Sequence, residues 1–478
     1  MKSEIKSFDG SSRLFKGTVI YFIGTFLSKS LTILILPLVT YNLTVEEYGT
    51  FDLYATIVII AIPIFTIQSI EAVFKFLFDA DEKRINKLIS NLWIIIIIGS
   101  LIVFFLLIII NKFFFEVPFY GPFYLYYLST VLLTMYQRVA RSFGLSKQFA
   151  ISGVINVLAL IISQTIAFIL LDAKIIGFIY TYVLANFLTV IYLEFKTLST
   201  KKFRIRDYDL ALIKELINFG LPLVPNNISW LSVATVNKII IVSYLGFGSN
   251  AIYAITAKFS SAIFTLSDVF KLAWQESAIT SYKEKGKDEF YSKTFDGLFS
   301  IMILLCSLSL PLIKITLPYL VAQDYLSASK YMPPVMIGAG LYAVVGFYGV
   351  GYLASSKTKD AFFTTVSGAI VNVLITFILI NSIGLFAPII ATALAYLTIW
   401  IMRHVRMKSY FKITINYRKL IAVSSLYVLT SYIYYTFDTE VNIFWFLILG
   451  FILFYDNSKL LKYVYKNSVR IIRGEKIE

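Results

Sequence analysis

Long runs of apolar residues dominate the chain between residues 14 and 458, and short polar segments separate them. The runs reach about twenty residues or more, which is the length that a helix needs to cross about 30 Å of hydrocarbon. They lack the alternation of apolar and polar positions that is typical of membrane barrel strands. The pattern therefore predicts an all-α integral membrane protein. Fourteen transmembrane helices are predicted, at 14–40, 46–74, 88–110, 122–143, 148–171, 175–195, 217–245, 249–281, 294–313, 331–354, 361–380, 384–402, 420–436 and 441–458.

Composition supports this class of protein. Of the 478 residues, 58% are hydrophobic and 15% are charged, which excludes a soluble domain for the chain as a whole. A single cysteine and a single histidine leave little for redox or metal chemistry, and we expect no cofactor and no metal. The first apolar run is too long for the core of a cleaved signal peptide, so we expect it to be the first membrane anchor.

The net charge of +15 is explained by membrane topology. If the N-terminus is cytoplasmic, the outer loops carry Lys112, Lys174, Lys314 and Lys330, four lysines lie within the spans, and the other lysines and arginines lie on the cytoplasmic side. This bias is what the positive-inside rule describes. It predicts that both termini are cytoplasmic, and it removes the need for a nucleic-acid partner. All loops are short, so no soluble domain is predicted.

A weak internal repeat suggests two related halves. The segment ISGVINVLALI (151–161) is similar to VSGAIVNVLITFI (366–378), and the two lie six predicted helices apart. An even number of spans per half gives parallel repeats about an axis along the membrane normal. We therefore predict two six-helix lobes around a central cavity plus two extra C-terminal helices. The predicted divisions are an N-lobe at 1–198, a cytoplasmic linker at 199–216, a C-lobe at 217–408, and helices 13 and 14 with a cytoplasmic tail at 409–478.

Four lysines lie within predicted spans: Lys29, Lys238, Lys258 and Lys271. A lysine at the bilayer centre costs about 2.5–3.5 kcal/mol on insertion scales, so these side chains must be paired, hydrated or extended to the interface. Lys271 lies near the cytoplasmic end of its span, where it could reach water or pair with Asp268. The other three fall in the first two helices of each half. A cavity between the halves would be cationic, and its natural guest is an anion.

The segment GLPLVPNNISW, which begins at Gly220, interrupts an otherwise apolar run. Pro222, Pro225, Asn226 and Asn227 would be poor choices for a helix that faces lipid. Unwound backbone is tolerated at membrane depth where it faces a water-filled cavity, and a break gives a helix a place to bend. We predict a hinge at the two prolines. A purely structural proline kink is the alternative.

Several stretches together resemble a known family. They are FLSKSLTILILPLVTYNLTVEEYGTFDLYATI (26–57), GLPLVPNNISW with NKIIIVSYLG, YAITAKF (253–259) and FKLAWQESAITSY (270–282). The chain resembles the bacterial polysaccharide flippases, which move lipid-linked oligosaccharides for O-antigen or capsule and belong to the multidrug/oligosaccharidyl-lipid/polysaccharide exporter superfamily. The resemblance covers essentially the whole chain. It implies fourteen helices in two six-helix lobes, with helices 1, 2, 7 and 8 lining the cavity.

The resemblance also implies a function. The protein would move an undecaprenyl-diphosphate-linked oligosaccharide across the bacterial cytoplasmic (inner) membrane by alternating access, without covalent catalysis. Family members often carry an acidic–basic pair where this chain has Asn237 and Lys238, and the missing carboxylate argues against cation coupling at that position. Proton or sodium coupling is instead predicted at Asp268 or Glu71. The predicted substrate-binding residues are Lys29, Lys238, Lys258, Arg138, Arg141, Asn226, Asn227, Trp274 and Gln275.

Expected partners are the lipid-linked oligosaccharide and membrane lipids, with other membrane proteins of polysaccharide assembly as candidates. Two rival functions remain open. A multidrug exporter of the same superfamily would favour cationic guests and an acidic cavity, which the lysines contradict. A membrane glycosyltransferase or polysaccharide polymerase would need a large external loop with catalytic side chains, whereas the loops are short and His404 is predicted on the cytoplasmic side.

Overall fold

The computed structural model describes residues 35–114, 116–282, 284–355, 357–408 and 410–456. Every regular element in these ranges is helical. Lys29 and most of the predicted span 14–40 lie outside the described residues. The chain divides into two compact units, Met1–Ala254 and Ile255–Glu478.

The N-terminal unit is built from helices of very different length. Its hydrophobic core joins α2, α3, α4, α5, α7 and α9, and α7 packs against both α5 and α6. The helices are α1 (Leu36–Thr40), α2 (Val45–Phe65), α3 (Ser69–Phe76), α4 (Glu82–Phe113), α5 (Tyr120–Ser142), α6 (Ser146–Thr165), α7 (Ile175–Thr197), α8 (Ser199–Lys202), α9 (Leu210–Gly220) and the first part of α10 (Leu223–Ser281).

The C-terminal unit contains the end of α10 and six further helices. α14 packs against α12 and α13, while α11 packs against α12, α15 and α16. The six helices are α11 (Lys287–Leu320), α12 (Met332–Ala354), α13 (Thr358–Ile383), α14 (Phe386–Met407), α15 (Tyr417–Thr436) and α16 (Thr439–Asp456).

Nine helices within the described ranges are long and apolar enough to cross a membrane, so the protein is a multi-pass membrane protein. The predicted count of fourteen is not confirmed. Part of the difference between nine and fourteen comes from α10, because its 47-residue stretch Thr235–Ser281 counts as one helix. At about 1.5 Å per residue this stretch measures about 70 Å, which is enough for two crossings of about 30 Å each. α5 falls outside the nine because tyrosines and hydroxyl residues dilute its apolar positions.

The predicted span 46–74 is wrong as a single helix, because the structure divides it into α2 and α3. Ile67 and Gln68 adopt left-handed backbone conformations, with φ of 50° and 52°. Such a conformation costs about 1–2 kcal/mol for a residue other than glycine, so packing must hold it in place. Gly220 supplies that packing: a Cβ on it would lie 2.1 Å from the carbonyl oxygen of Ile67.

The predicted linker is folded and docked on α4. Ser90 Oγ accepts a hydrogen bond from the backbone N–H of Arg204 (2.9 Å) and donates one to the carbonyl of Lys202 (3.2 Å). Asn91 Oδ1 accepts from the backbone N–H of Asp209 at 3.0 Å. Both α4 side chains are buried. Because buried polar groups are satisfied by partners in native proteins, Ser90 and Asn91 fix the path of the linker.

Asp209 anchors the end of the linker and begins α9. Its carboxylate accepts from the backbone N–H groups of Ala211 and Leu212, which makes it the N-cap of that helix. Lys87 donates to the same carboxylate over 3.1 Å, and this hydrogen bond lowers the pKa of Asp209. α9 therefore starts at a point that α4 determines.

Candidate functional site

An ion pair joins α2 to α10 within the N-terminal unit. Lys238 Nζ lies 2.8 Å from Asp52 Oδ2 and donates a second hydrogen bond to Thr56 Oγ1, also over 2.8 Å. Asp52 and Thr56 are one helical turn apart, so they project from the same face of α2. The side chains of Lys238 and Asp52 are 15% and 17% exposed. The charge that the sequence places inside a span is therefore paired with a carboxylate.

The same carboxylate oxygen is held from a second direction. Asn250 Nδ2 donates to Asp52 Oδ2 at 3.1 Å and to the carbonyl of Gly49 at 2.8 Å. Asn250 is fully buried, and its Oδ1 has no hydrogen-bond partner among the described residues. Asp52 thus receives donors from residues on both sides of Gly246.

The two donors require α10 to bend at Gly246. A straight helix would separate the Cα atoms of Lys238 and Asn250 by about 18 Å, which is farther than the two side chains can span to a common atom. Gly246 has φ 81° and ψ 173°, a non-helical conformation that suits glycine. The helix therefore consists of two arms that meet at Gly246, in agreement with separate predicted spans at 217–245 and 249–281.

Aromatic side chains pack around Phe51, the neighbour of Asp52 in α2. Phe51 packs against Tyr126 and Tyr182, with ring centroids 5.6 and 4.7 Å apart. The rings of Tyr126 and Tyr182 also pack against each other, with centroids 5.8 Å apart. Gln164 is buried, and neither atom of its amide has a hydrogen-bond partner in the described part of the chain. The ion pair lies beside a polar, aromatic interior rather than in a purely apolar core.

A second ion pair joins two residues that the sequence assigns to different roles. Arg138, a predicted substrate contact, lies 2.8 Å from Glu71, a predicted coupling residue. About one third of each side chain is exposed. The guanidinium of Arg141 lies over the rings of Phe74 and Phe149, at 5.2 and 5.5 Å from their centroids. The α3–α5 contact is therefore the place where these predicted residues meet.

The remaining predicted residues of α10 lie after Gly246 and have separate partners. Asp268 accepts a hydrogen bond from the hydroxyl of Tyr342 at 2.9 Å. Trp274 is buried, stacks on Phe347 with ring centroids 4.6 Å apart, and donates its indole N–H to the carbonyl of Phe347. Gln275 and Lys258 are half-buried. The contact of these side chains with a sugar or a phosphate stays a prediction.

The predicted hinge segment has a break, and its prolines lie at the start of a helix. α9 ends at Gly220 and α10 begins at Leu223, so Pro222 precedes the helix and Pro225 lies in its first turn. Proline is tolerated there because the first N–H groups of a helix have no partner within it. Asn227 is half-buried. The side chain of Asn226 lies outside the described part of the structure, and bending at this break stays a prediction.

The sequence analysis did not single out Arg403, which it counted among the lysines and arginines of the cytoplasmic side. This arginine is 2% exposed. It donates to the carbonyl of Val345 (2.6 Å) and to the hydroxyls of Thr364 (3.1 Å) and Thr365 (3.0 Å). These partners lie on α12 and α13, while Arg403 itself lies on α14. Arg403 therefore joins three helices of the C-terminal unit, whereas the sequence analysis assigned its charge to membrane topology alone.

The chemistry of these groups is that of ion pairs and hydrogen bonds. Within the described ranges, no three His, Cys, Asp or Glu side chains converge as a metal site would require. Lysine and arginine side chains at membrane depth are suited to holding an anion. Acidic side chains at the same depth can take up or release a proton.

Residues 14–270 match the family described as "Polysaccharide biosynthesis protein", which is more than half of the chain. The chain belongs to this family. A curated relative from the Lsg locus of Haemophilus influenzae is 22% identical over 260 residues, which are 52% of this chain and 62% of the relative. This chain thus matches less than two thirds of that relative's length.

Solved structures show the same fold. The lipid II flippase MurJ in an inward closed conformation matches with a TM-score of 0.71 and 16% identity, over 95% of this chain and 100% of that chain. An inward-facing multidrug resistance MATE family transporter of the MOP superfamily matches with a TM-score of 0.65 and 13% identity, over 82% of this chain and 98% of that one. This family member therefore has the fold of flippases and transporters of the MOP superfamily.

Proposed function

We propose that this protein is a flippase for undecaprenyl-diphosphate-linked oligosaccharide in the bacterial cytoplasmic membrane. It would serve O-antigen, capsule or exopolysaccharide biosynthesis, with both termini in the cytoplasm. The observation that carries the proposal is the combination of family membership over residues 14–270 with a fold similar to the lipid II flippase over 95% of the chain. The family points to polysaccharide, and the fold points to transport of a lipid-linked precursor.

The chemistry of the substrate fits the charges in the chain. A diphosphate cannot cross hydrocarbon without its charge being balanced, and lysine side chains within spans can balance it as point charges. Lys29, Lys238 and Lys258 are the proposed phosphate contacts. Arg138 and Arg141 would help to capture the head group. Sugar contacts are proposed for Asn226, Asn227, Trp274 and Gln275.

Transport by alternating access needs no covalent step, and the protein is proposed to act as a transporter without enzyme activity. Coupling to a proton or sodium gradient is proposed at Asp268 or Glu71. Asp268 has a hydrogen-bonded hydroxyl beside it, and Glu71 is paired with Arg138. Acidic residues within membrane proteins commonly serve such relays.

The multidrug exporter is the second candidate, because the MATE transporters share the fold over 82% of the chain. The family match favours the flippase. The two candidates differ in the charge of the guest, since an exporter of cationic drugs needs acidic groups in its cavity. A direct transport measurement separates them.

The test is translocation of a fluorescent lipid-diphosphate oligosaccharide by the purified protein in proteoliposomes. The wild type is compared with Lys29→Ala and Lys258→Ala at matched amounts of folded protein, and Lys112→Ala, an exposed lysine outside the predicted cavity, is the control. We expect transport by the wild type and the control, and loss of most transport in the other two. Absence of transport by the wild type with several glycans, together with efflux of cationic dyes, would favour the exporter.

A further inference from the structure

In this structure the ammonium group of Lys238 already has hydrogen-bond partners on α2. Two of its three N–H donors bind Asp52 and Thr56, so one donor remains for a phosphate as long as the lysine stays in this position. The side chain is 15% exposed and has a flexible four-carbon stem, so it can turn toward a ligand without movement of the backbone. A phosphate contact through more than one N–H group of Lys238 therefore requires the lysine to leave Asp52 or Thr56.

We propose that Lys238 passes from Asp52 to the diphosphate of the substrate, and that Asp52 takes up a proton as the lysine leaves. This inference rests on the proposed flippase function. It makes Asp52 a positioning residue, because Asp52 holds Lys238 until the diphosphate binds. The proton comes from water and binds a carboxylate oxygen of Asp52, while Lys238 keeps its three protons. Substrate binding and proton uptake would be one linked event.

The surroundings of Asp52 explain why a proton would replace the lysine. Among the described residues, Lys238 from α10 is the cation paired with Asp52, and Tyr126 from α5 and Tyr182 from α7 lie nearby with their rings against Phe51. Tyrosines are neutral and cannot balance a carboxylate. The amide of Asn250 donates one hydrogen bond but carries no charge. With 17% of its side chain exposed, an ionised Asp52 without the lysine would be poorly solvated, which favours the protonated acid.

The exchange has a mechanical consequence because the two arms of α10 hold the carboxylate independently. Lys238 lies before Gly246 and Asn250 lies after it. When the lysine leaves, the arm that carries Lys238 loses its charged contact with α2. The arm that carries Asn250 keeps its hydrogen bond to the carbonyl of Gly49. Binding of a diphosphate would therefore release the arm of α10 before Gly246 from α2 and leave the arm after Gly246 in place.

The test measures binding of undecaprenyl diphosphate to the full chain in nanodiscs by calorimetry. Titrations at one pH in two buffers of different protonation enthalpy give the number of protons taken up on binding. We expect the wild type to take up a proton, in a fraction that depends on pH, and Asp52→Asn to take up none. If the lysine is available in about one tenth of wild-type molecules, Asp52→Asn should bind the diphosphate about tenfold more tightly.

Three further variants keep the result interpretable. Lys238→Gln should bind more weakly than the wild type, because it lacks the phosphate contact. The double variant Asp52→Asn/Lys238→Gln keeps a neutral hydrogen-bonding pair, so it should fold, bind as weakly as Lys238→Gln and take up no proton. Glu46→Gln, which alters an exposed acid at the start of the same helix, should behave like the wild type.

The outcomes distinguish this inference from the proposed function. Equal affinity and equal proton uptake in the wild type and Asp52→Asn would overturn the exchange and leave the flippase function standing. The exchange would also be overturned if the wild type bound the diphosphate without proton uptake at every pH between 5 and 8. A wild type that binds no undecaprenyl diphosphate and transports no lipid-linked oligosaccharide would overturn both.

Discussion

The α-carbon of Gly49 faces the carbonyl oxygen of Phe247 so closely that a Cβ on residue 49 would lie 1.8 Å from that oxygen. The backbones of α2 and α10 are therefore in direct contact just beyond Gly246. Asn250 reinforces the contact through the carbonyl of Gly49. This approach places Asp52, one turn further along α2, within reach of both arms of α10. A glycine at position 49 is a condition for the ion pair.

Replacing Gly49 with alanine should push the two helices apart. We expect Gly49→Ala to destabilise the protein by about 1–3 kcal/mol, the usual cost of overpacking. Thermal unfolding in detergent measures the change. Gly297→Ala is the matched control, because a Cβ on Gly297 meets nothing within 4 Å in the interior of α11. The control should gain about 0.5–1 kcal/mol, and a similar effect of both substitutions would refute the backbone contact.

Removing the buried arginine should loosen the C-terminal unit. Arg403→Ala leaves the carbonyl of Val345 and two threonine hydroxyls without their donor and creates a cavity. We expect a loss of at least about 2 kcal/mol in unfolding free energy. Arg406→Ala, whose side chain is about half exposed, should cost less than about 1 kcal/mol. Equal stability of the two variants would show that Arg403 contributes no more than a surface charge.

A glycine pair on α12 tests the same contact without changing any charge. A Cβ on Gly349 would lie 3.0 Å from a guanidinium nitrogen of Arg403, whereas a Cβ on Gly346 would lie 3.8 Å from its nearest neighbour, a lysine stem carbon. We expect Gly349→Ala to lower the unfolding temperature and Gly346→Ala to leave it nearly unchanged. The reverse order of the two unfolding temperatures would contradict the geometry around Arg403.

The burial of Trp274 makes it important for stability whatever its part in sugar binding. Trp274→Ala should cost about 3–5 kcal/mol, as large-to-small substitutions of buried aromatic residues do. Trp274→Phe keeps an aromatic partner for Phe347 and should cost much less. Unfolding measurements compare the two. Transport per folded molecule is then the separate measure of sugar contact: a drop in Trp274→Phe would support the predicted contact, and unchanged transport would assign Trp274 to packing alone.

The docked linker should depend on the buried amide of Asn91. Asn91→Ala removes the acceptor for the backbone N–H of Asp209 and should release the segment that contains Arg204. We expect trypsin to cleave at Arg204 and Arg206 several-fold faster in this variant, as judged by mass spectrometry of early fragments. Lys147→Ala, an exposed change elsewhere in the same unit, is the control. Cleavage at the wild-type rate would mean that Asn91 does not hold the linker.

Apolar run length was enough to predict a helical membrane protein, and the prolines of GLPLVPNNISW were enough to predict the break near Pro222, because both signals are local in the sequence. Residues that meet from distant parts of the chain were not predictable in the same way. Lys238 and Thr56 are 182 positions apart, so the carboxylate missing next to Lys238 could not be located on α2 from one sequence. The break between α2 and α3 was missed because its left-handed residues are Ile67 and Gln68, where turn chemistry would favour glycine.

Arg403 shows a second reason for failure. A basic residue at the end of an apolar run has the same pattern whether it faces water or packs between helices. Its burial depends on small and hydroxyl residues of two other helices, including Gly349, and these give no signal until the helices are placed side by side. The partners of such a residue become evident only in the structure.

The docking of the linker on Ser90 and Asn91 limits where the chain can be divided into two separately expressed fragments. A cut between Lys202 and Asp209 would sever a segment whose backbone satisfies two buried side chains, and fragments made there should reassemble poorly. Gly286 is a better place to divide the gene. It lies between α10 and α11 with φ 96°, and a Cβ there meets nothing within 4 Å, so a chain end at Gly286 has room around it.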